Sequence, residues 1–279
     1  NDDFWKTPSI NKWDGLSTIT SKEANSKNLD SFLKEWHATL QDLRNIGSLI
    51  NTEENRPKWV NSNSSAGSQS DQFLHAYYYN KTFDGKKANY IIFYESNKKD
   101  KERALNEAIK WWRCLPSAPS NENKMLNESA PYLKNALTLE NINKMKYEDF
   151  HQICIRIHAI YDYARRVPNI KVNLESNGKK HSMDEKTRAL SNTLWNHQAS
   201  NGKKIKDLLV YILYNGTDAD LPKRLWEAVT NPKYKIDGLG ISSLGEIVGW
   251  AKPEIFPPRN GRTSKALKAL GYDVKIHVS

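Results

Sequence analysis

The sequence predicts an α+β protein that is mainly α. A small N-terminal region with a β-hairpin comes first, and an all-α C-terminal bundle built around a two-glycine hairpin follows. Three observations predict this. Apolar residues recur at helical spacing over most of the chain. Two short aromatic and β-branched runs, 73–79 and 89–94, flank an Asp84-Gly85 turn signal. Gly238-Leu239-Gly240 separates two helical patterns near the end. At 279 residues the chain can form one large or two ordinary domains. Only 38% of it is hydrophobic, but nine Trp and 10% aromatic residues mark a folded protein rather than a disordered one.

The elements follow in order. From Asn28 to Leu43, Leu29, Phe32, Leu33, Trp36, Leu40 and Leu43 fall on one helix face. Residues 56–72 are rich in Asn, Ser and Gly and read as a loop. The runs at Phe73–Tyr79 and Asn89–Tyr94 read as paired strands, with Tyr77, Tyr78 and Tyr79 alternating between faces. Asp100 to Arg113 reads as a helix capped by Asp100, with Leu105, Ala108, Ile109 and Trp112 on one side. Residues 114–131 carry three prolines among Asn and Ser, which places a boundary between a domain at 1–130 and one at 131–279. Beyond it, helices are expected at 147–164, 183–195, 205–214, 221–230, 242–250 and 262–270.

The formal charge is +10, with a pI near 9.3, which favours a polyanionic partner or an acidic surface. The excess is concentrated. Residues 221–279 hold ten Lys/Arg against five Asp/Glu, in the segment that carries the glycine hairpin. No apolar run is long enough to span a membrane and no signal-peptide pattern opens the chain, so a cytoplasmic protein is expected. The two cysteines, Cys114 and Cys154, lie on apolar patterns and read as buried thiols in a reducing compartment. The first residue is Asn rather than Met, the mark of a processed chain or an excised piece. No metal motif, phosphate-loop motif or nucleophile elbow is found, and the histidines are scattered. Glu95-Ser-Asn-Lys98 misses a restriction-nuclease strand motif by one residue and reads as a solvated strand end.

Lys235-Ile-Asp-Gly238-Leu-Gly240-Ile-Ser242-Ser243-Leu244 has the form of a helix-hairpin-helix. Its glycines let backbone N–H groups approach a phosphate at the positive end of a helix dipole. After it come a Pro-rich loop through Phe256-Pro257 and a short basic helix ending in Leu270-Gly271. Together, roughly Lys203 to Tyr272, this resembles the DNA glycosylase superfamily of helix-hairpin-helix proteins. Two positions depart from that family. Asn260 stands where the glycosylases carry their catalytic Asp, and Ser242 or Ser243 where bifunctional members carry a nucleophilic Lys. An amide cannot act as a carboxylate base. The segment is also similar to DNA-recognition regions of Mcr-type restriction and phage-defence systems. The resemblance thus implies a DNA-binding module rather than an enzyme, one that grips duplex backbone and senses modified bases, beside an NTPase or nuclease partner. The alternatives are a glycosylase or nuclease with an atypical catalytic residue (Asp237, Glu246 or Asp273) and a protein–protein adaptor.

The residues expected at the nucleic acid are Gly238, Gly240, Ser242 and Ser243 of the hairpin, with Arg259, Asn260, Arg262, Thr263, Lys265 and Lys268 of the last helix. No metal or organic cofactor is expected, though a monovalent cation could sit at the hairpin. Asn260 also suits a helix N-cap, and Trp250, Phe256 and Tyr272 suit a core better than a stacking platform. Tyr77, Tyr78 and Tyr79 with Trp59 could cage a base, and Arg165 and Arg166 could meet a phosphate, although cations at a helix C-terminus are ordinary.

Overall fold

The computed structural model describes residues 21–83, 88–175 and 180–277, with side chains from residue 28 onward. Helices follow one another as α1 (Ser21–Ile50), α2 (Ala66–Tyr77), α3 (Tyr90–Asn97), α4 (Lys101–Arg113), α5 (Glu122–Lys124), α6 (Ala130–Ala136), α7 (Leu139–Lys144) and α8 (Tyr147–Cys154). Then come α9 (His158–Arg166), α10 (Met183–Asn196), α11 (Ile205–Tyr214), α12 (Leu221–Thr230), α13 (Ile241–Ala251) and α14 (Gly261–Ala269). Among the described residues no helix is long and apolar enough to cross a membrane.

The β-hairpin expected at 73–94 does not form. Phe73–Tyr77 belongs to α2, Tyr78–Thr82 is a π turn continuing it, and Tyr90–Asn97 is helix α3. A single β-bridge, Phe83 to Ala88, is all that pairs among the described residues, and the Asp84-Gly85 turn lies outside them. The reason is burial. Ser65 starts α2 by accepting from Ser68 N at 3.1 Å, and every residue from Gly67 to Tyr77 is then buried. A helix buried on all sides needs no polar face, so its sequence loses the 3.6-residue signature and a short apolar run within it reads equally as strand. The same cap turns the last seven residues of the expected 56–72 loop into helix. In α3, Asn97 Nδ2 donates to Ala269 O at 2.9 Å and fastens the helix to α14, although Ile91 and Ile92 stay exposed.

Two hydrophobic cores form, and α1 runs through both. Phe32, Trp36 and Leu40 enter the larger core, with α6 to α13; Leu43, Ile46 and Ile50 enter the smaller one. That smaller core holds Phe73, Leu74, Leu105 and Trp112, together with Leu267, Leu270, Tyr272 and Val274 from the end of the chain. The cores therefore do not part at residue 130, because α14 lies in the core of the first 115 residues. The expected helix at 147–164 is two helices, α8 and α9, separated by residues 155–157. Residues 114–131 are partly helical rather than a plain linker, and Cys114 is exposed while Cys154 is buried. Asp100 caps α4 as its sequence suggests, accepting from Arg103 N at 3.1 Å. Glu95 and Lys98 form an ion pair at the end of α3, 2.5 Å apart.

Candidate nucleic-acid interface

α12 and α13 are joined by the glycine hairpin, residues 231–240. Tyr234 N and Lys235 N both donate to Asn231 O and close its first turn. Gly238 has φ +92, a conformation L side chains rarely adopt, and a Cβ there would press on Leu194 and Tyr163 at 3.2 and 3.4 Å. Both backbone freedom and close seating on α9 and α10 therefore demand glycine. Leu239 is buried, and Gly240 is the extended N-cap of α13. Ser242 and Ser243 follow with buried side chains. What this turn can offer a phosphate is backbone N–H rather than hydroxyl, since the first N–H groups of a helix have no intrahelical partner.

Beside the hairpin opens a pocket of about 350 Å³. One wall is aromatic: Tyr78, Tyr79 and Phe83, on and just after the π turn, with Tyr78 and Tyr79 edge to face at 5.0 Å. The rest of the lining is largely cationic: Arg165 and Arg166 from the last turn of α9, Arg262 and Lys265 from the first turns of α14. His158, Ala159, Asp162, Ser242, Asn260 and His277 complete the lining. Asn260 sets the register of α14. Its side-chain oxygen accepts from Arg262 N at 2.9 Å and Thr263 N at 3.1 Å, and Thr263 Oγ1 accepts from Asn260 N at 2.8 Å. With that start fixed, Arg262 and Lys265, three apart, share a helix face.

The cations are unequally matched. Arg262 donates to Asp162 at 2.6 Å and lies over the Tyr79 ring at 5.4 Å. Arg165 reaches Asp162 at 4.0 Å. Arg166 and Lys265 have no carboxylate at ion-pair distance among the described residues, and Lys265 instead sits 6.0 Å from the Tyr78 ring centre and 5.7 Å from that of Tyr90. Burial pushes the Lys265 ammonium below its ordinary pKa, and Arg166 and Arg262 add to this against the pull of Asp162. Like charges held together in a half-buried cleft are stabilised by an anion placed among them.

Beneath the pocket lies a buried ionic layer. Glu246 caps α9, accepting from His158 N and Ala159 N at 2.9 Å each, and also from Trp250 Nε1 at 3.3 Å. His158 Nδ1 is 3.3 Å from the same carboxylate. Burial would raise the Glu246 pKa, but His158 and the two N–H groups overcome it and hold the group ionised. His75, whose ring centre lies 5.2 Å from that of His158, binds Glu122 at 2.9 Å, and Ser120 donates to Glu122 as well. Asp71 is fully enclosed; burial, then the charge of Glu246, push its carboxyl up to about 7. It accepts from Gln72 at 2.6 Å through one oxygen, while the other has no hydrogen-bond partner.

The expected residues thus divide. Ser242, Asn260, Arg262 and Lys265 meet at the pocket, whereas Gly238, seated on Leu194 and Tyr163, and Gly240 are not among its lining residues. Arg259 does not reach the surface. It is 4% exposed, ion-paired with Glu35, bonded to Lys275 O at 3.1 Å and stacked 5.2 Å from the Trp36 ring centre. Burial would raise the Glu35 pKa, but His277 and Arg259 bring it down to about 2. Thr263 and Ser243 are wholly buried, and Lys268 turns away to Tyr94 at 4.6 Å and Asp273 at 3.7 Å. Trp250, Phe256 and Tyr272 are core. Of the imagined cage, Tyr78 and Tyr79 line the pocket, whereas Tyr77 enters the smaller core and Trp59 packs on Trp112 at 5.2 Å. Phe83, His158, Asp162 and His277 complete a site that no local spacing in the sequence reveals. Asp237 and Asp273 stay exposed. Among the described residues no three His, Cys, Asp or Glu side chains gather to hold a metal.

No family model matches the chain, and neither a curated protein nor a solved structure matches it.

Proposed function

We propose that this chain is a DNA-binding module of a restriction or anti-phage system. It grips duplex backbone and senses bases, modified ones included, without cutting. The pocket carries this reading: Tyr78, Tyr79 and Phe83 line it together with four cations, beside Ser242 at the start of α13. Aromatic faces stack on bases, and Arg and Lys hold phosphates. The hairpin adds backbone N–H groups at the start of α13, where a monovalent cation could bridge carbonyls to a phosphate. The side chain of Asn260 is spent on capping α14, which fits a module that holds DNA without excising a base. The effector, an NTPase or nuclease chain, lies outside this pocket.

One observation favours catalysis. His158 lines the pocket with Glu246 behind it, an arrangement that can hold a proton-transferring imidazole in place. A single experiment addresses both readings. Fluorescence anisotropy on unmodified, cytosine-modified and adenine-modified duplexes across a salt series should give salt-sensitive binding, with the same duplexes scored afterwards for abasic sites and nicks. Absence of binding at low salt sinks the DNA reading and leaves a protein–protein adaptor; abasic sites or nicks that vanish in His158→Ala make the chain an enzyme.

A further inference from the structure

We infer that the pocket takes a nucleoside carrying a terminal phosphate monoester, either a free nucleotide or the 5′ end of a strand, which rests on the nucleic-acid reading above and names the unit that enters. Three features of the pocket lead there.

The first is charge. Arg165, Arg166, Arg262 and Lys265 face the cavity, and Asp162 is the one carboxylate among the lining residues. Asp162 is engaged by Arg262 and reaches Arg165 only at 4.0 Å. Arg166, whose Nε donates only to the backbone oxygen of Asp162 at 3.3 Å, and Lys265 have no carboxylate partner among the described residues. An internal phosphodiester brings one negative charge, whereas a terminal phosphate brings roughly −1.5 to −2 and three acceptor oxygens. The monoester is the better match for two cations that have no carboxylate partner among the described residues, together with their neighbour.

The second is the aromatic part of the lining. Tyr78, at the start of the π turn, and Phe83, just after it, have ring centres 6.4 Å apart. Tyr79 packs against both, at 5.0 and 6.2 Å. An aromatic cluster directly beside a cation cluster, with Arg262 over Tyr79 and Lys265 over Tyr78, has the polarity of a nucleotide, with a base at one end and phosphate at the other. Stacking is tolerant of sequence, so little preference among bases is expected.

The third is size. A cavity of about 350 Å³ falls at the small end of the range for small-molecule sites, roughly 300–1,000 Å³, which suits one nucleotide rather than a stretch of duplex.

The test uses the full chain and isothermal titration. The probes are dAMP, deoxyadenosine, inorganic phosphate, and one short single strand carrying either a 5′-phosphate or a 5′-hydroxyl. A duplex titration runs alongside. The expected result is that dAMP binds about tenfold or more tightly than deoxyadenosine or phosphate alone, and the phosphorylated strand about tenfold more tightly than its hydroxyl twin. Arg166→Gln, at an exposed position where folding is not at stake, and Lys265→Gln should each abolish the phosphate-dependent gain. Lys268→Gln, outside the pocket, should keep it. Tight dAMP with no difference between the strands makes the free nucleotide the ligand; a strand difference with weak dAMP makes it the strand end. If neither comparison shows a phosphate-dependent gain, the inference is overturned. In that case duplex binding that persists leaves the DNA reading in place, and duplex binding that is also absent removes both.

Discussion

Asp71→Asn tests the ionic layer under the pocket most directly. Asp71 is fully buried on α2, with one oxygen bonded to Gln72 and the other without a partner. Burial, then Glu246, raise its pKa from 3.8 to about 7. The folded carboxyl binds its proton more tightly than the unfolded one, so stability falls as pH rises from 3.8 to about 7 and levels above that. At ~1.4 kcal/mol per pH unit, the shift costs the protein up to about 4 kcal/mol at pH 8 and about 2 kcal/mol at pH 5. Asn keeps the shape and the bond from Gln72 but never ionises. Asp71→Asn should therefore be the more stable protein, by a margin that widens from pH 5 to pH 8. Urea unfolding of both proteins at several pH values, with equal m-values, measures the margin. Parallel stability curves over that window would show that the carboxyl does not titrate there and would refute the reasoning.

Other expectations concern separate parts of the molecule. Lys265→Gln should weaken binding to all duplexes alike and reduce the slope of log K against log salt by about 1, as loss of one phosphate contact requires; an unchanged slope would remove Lys265 from the footprint. Glu35, with its pKa near 2, contributes stability that is complete above 4.5 and is lost as pH falls through about 2. Glu35→Gln should cost on the order of 2 kcal/mol at neutral pH by leaving Arg259 unpaired, and the gap should close between pH 4.5 and 2; a constant gap in acid unfolding would contradict the assignment. Gly249→Ala would set a Cβ 2.1 Å from Pro258 Cα, with backbone on both sides unable to yield, and should cost about 3 kcal/mol or more in thermal or urea unfolding. Gly202→Ala meets no atom within 4 Å, so only its φ of +78 should be felt, at about 1 kcal/mol.

The amphipathic helices are legible in the chain's own pattern, because their apolar faces repeat against a polar background: α4 with its Asp100 cap, and α10 to α14, lie where the spacing puts them. The glycine hairpin is legible too, since a positive φ at Gly238 is a local requirement that leaves a local trace. The Asn260 cap was legible for the same reason. Local pattern failed for α2, whose surroundings are protein on every side, so nothing in it alternates with solvent. It failed for the charges too. Net basicity marks Arg259 and Arg262 equally, yet only tertiary packing decides that Arg259 is consumed by Glu35, 224 residues away, while Arg262 faces the pocket. The pocket itself joins the π turn after α2, the two ends of α9 and the start of α14. Those segments meet because α14 returns to the core begun by α1 and α2, a contact between distant parts of the chain that no local window of sequence contains.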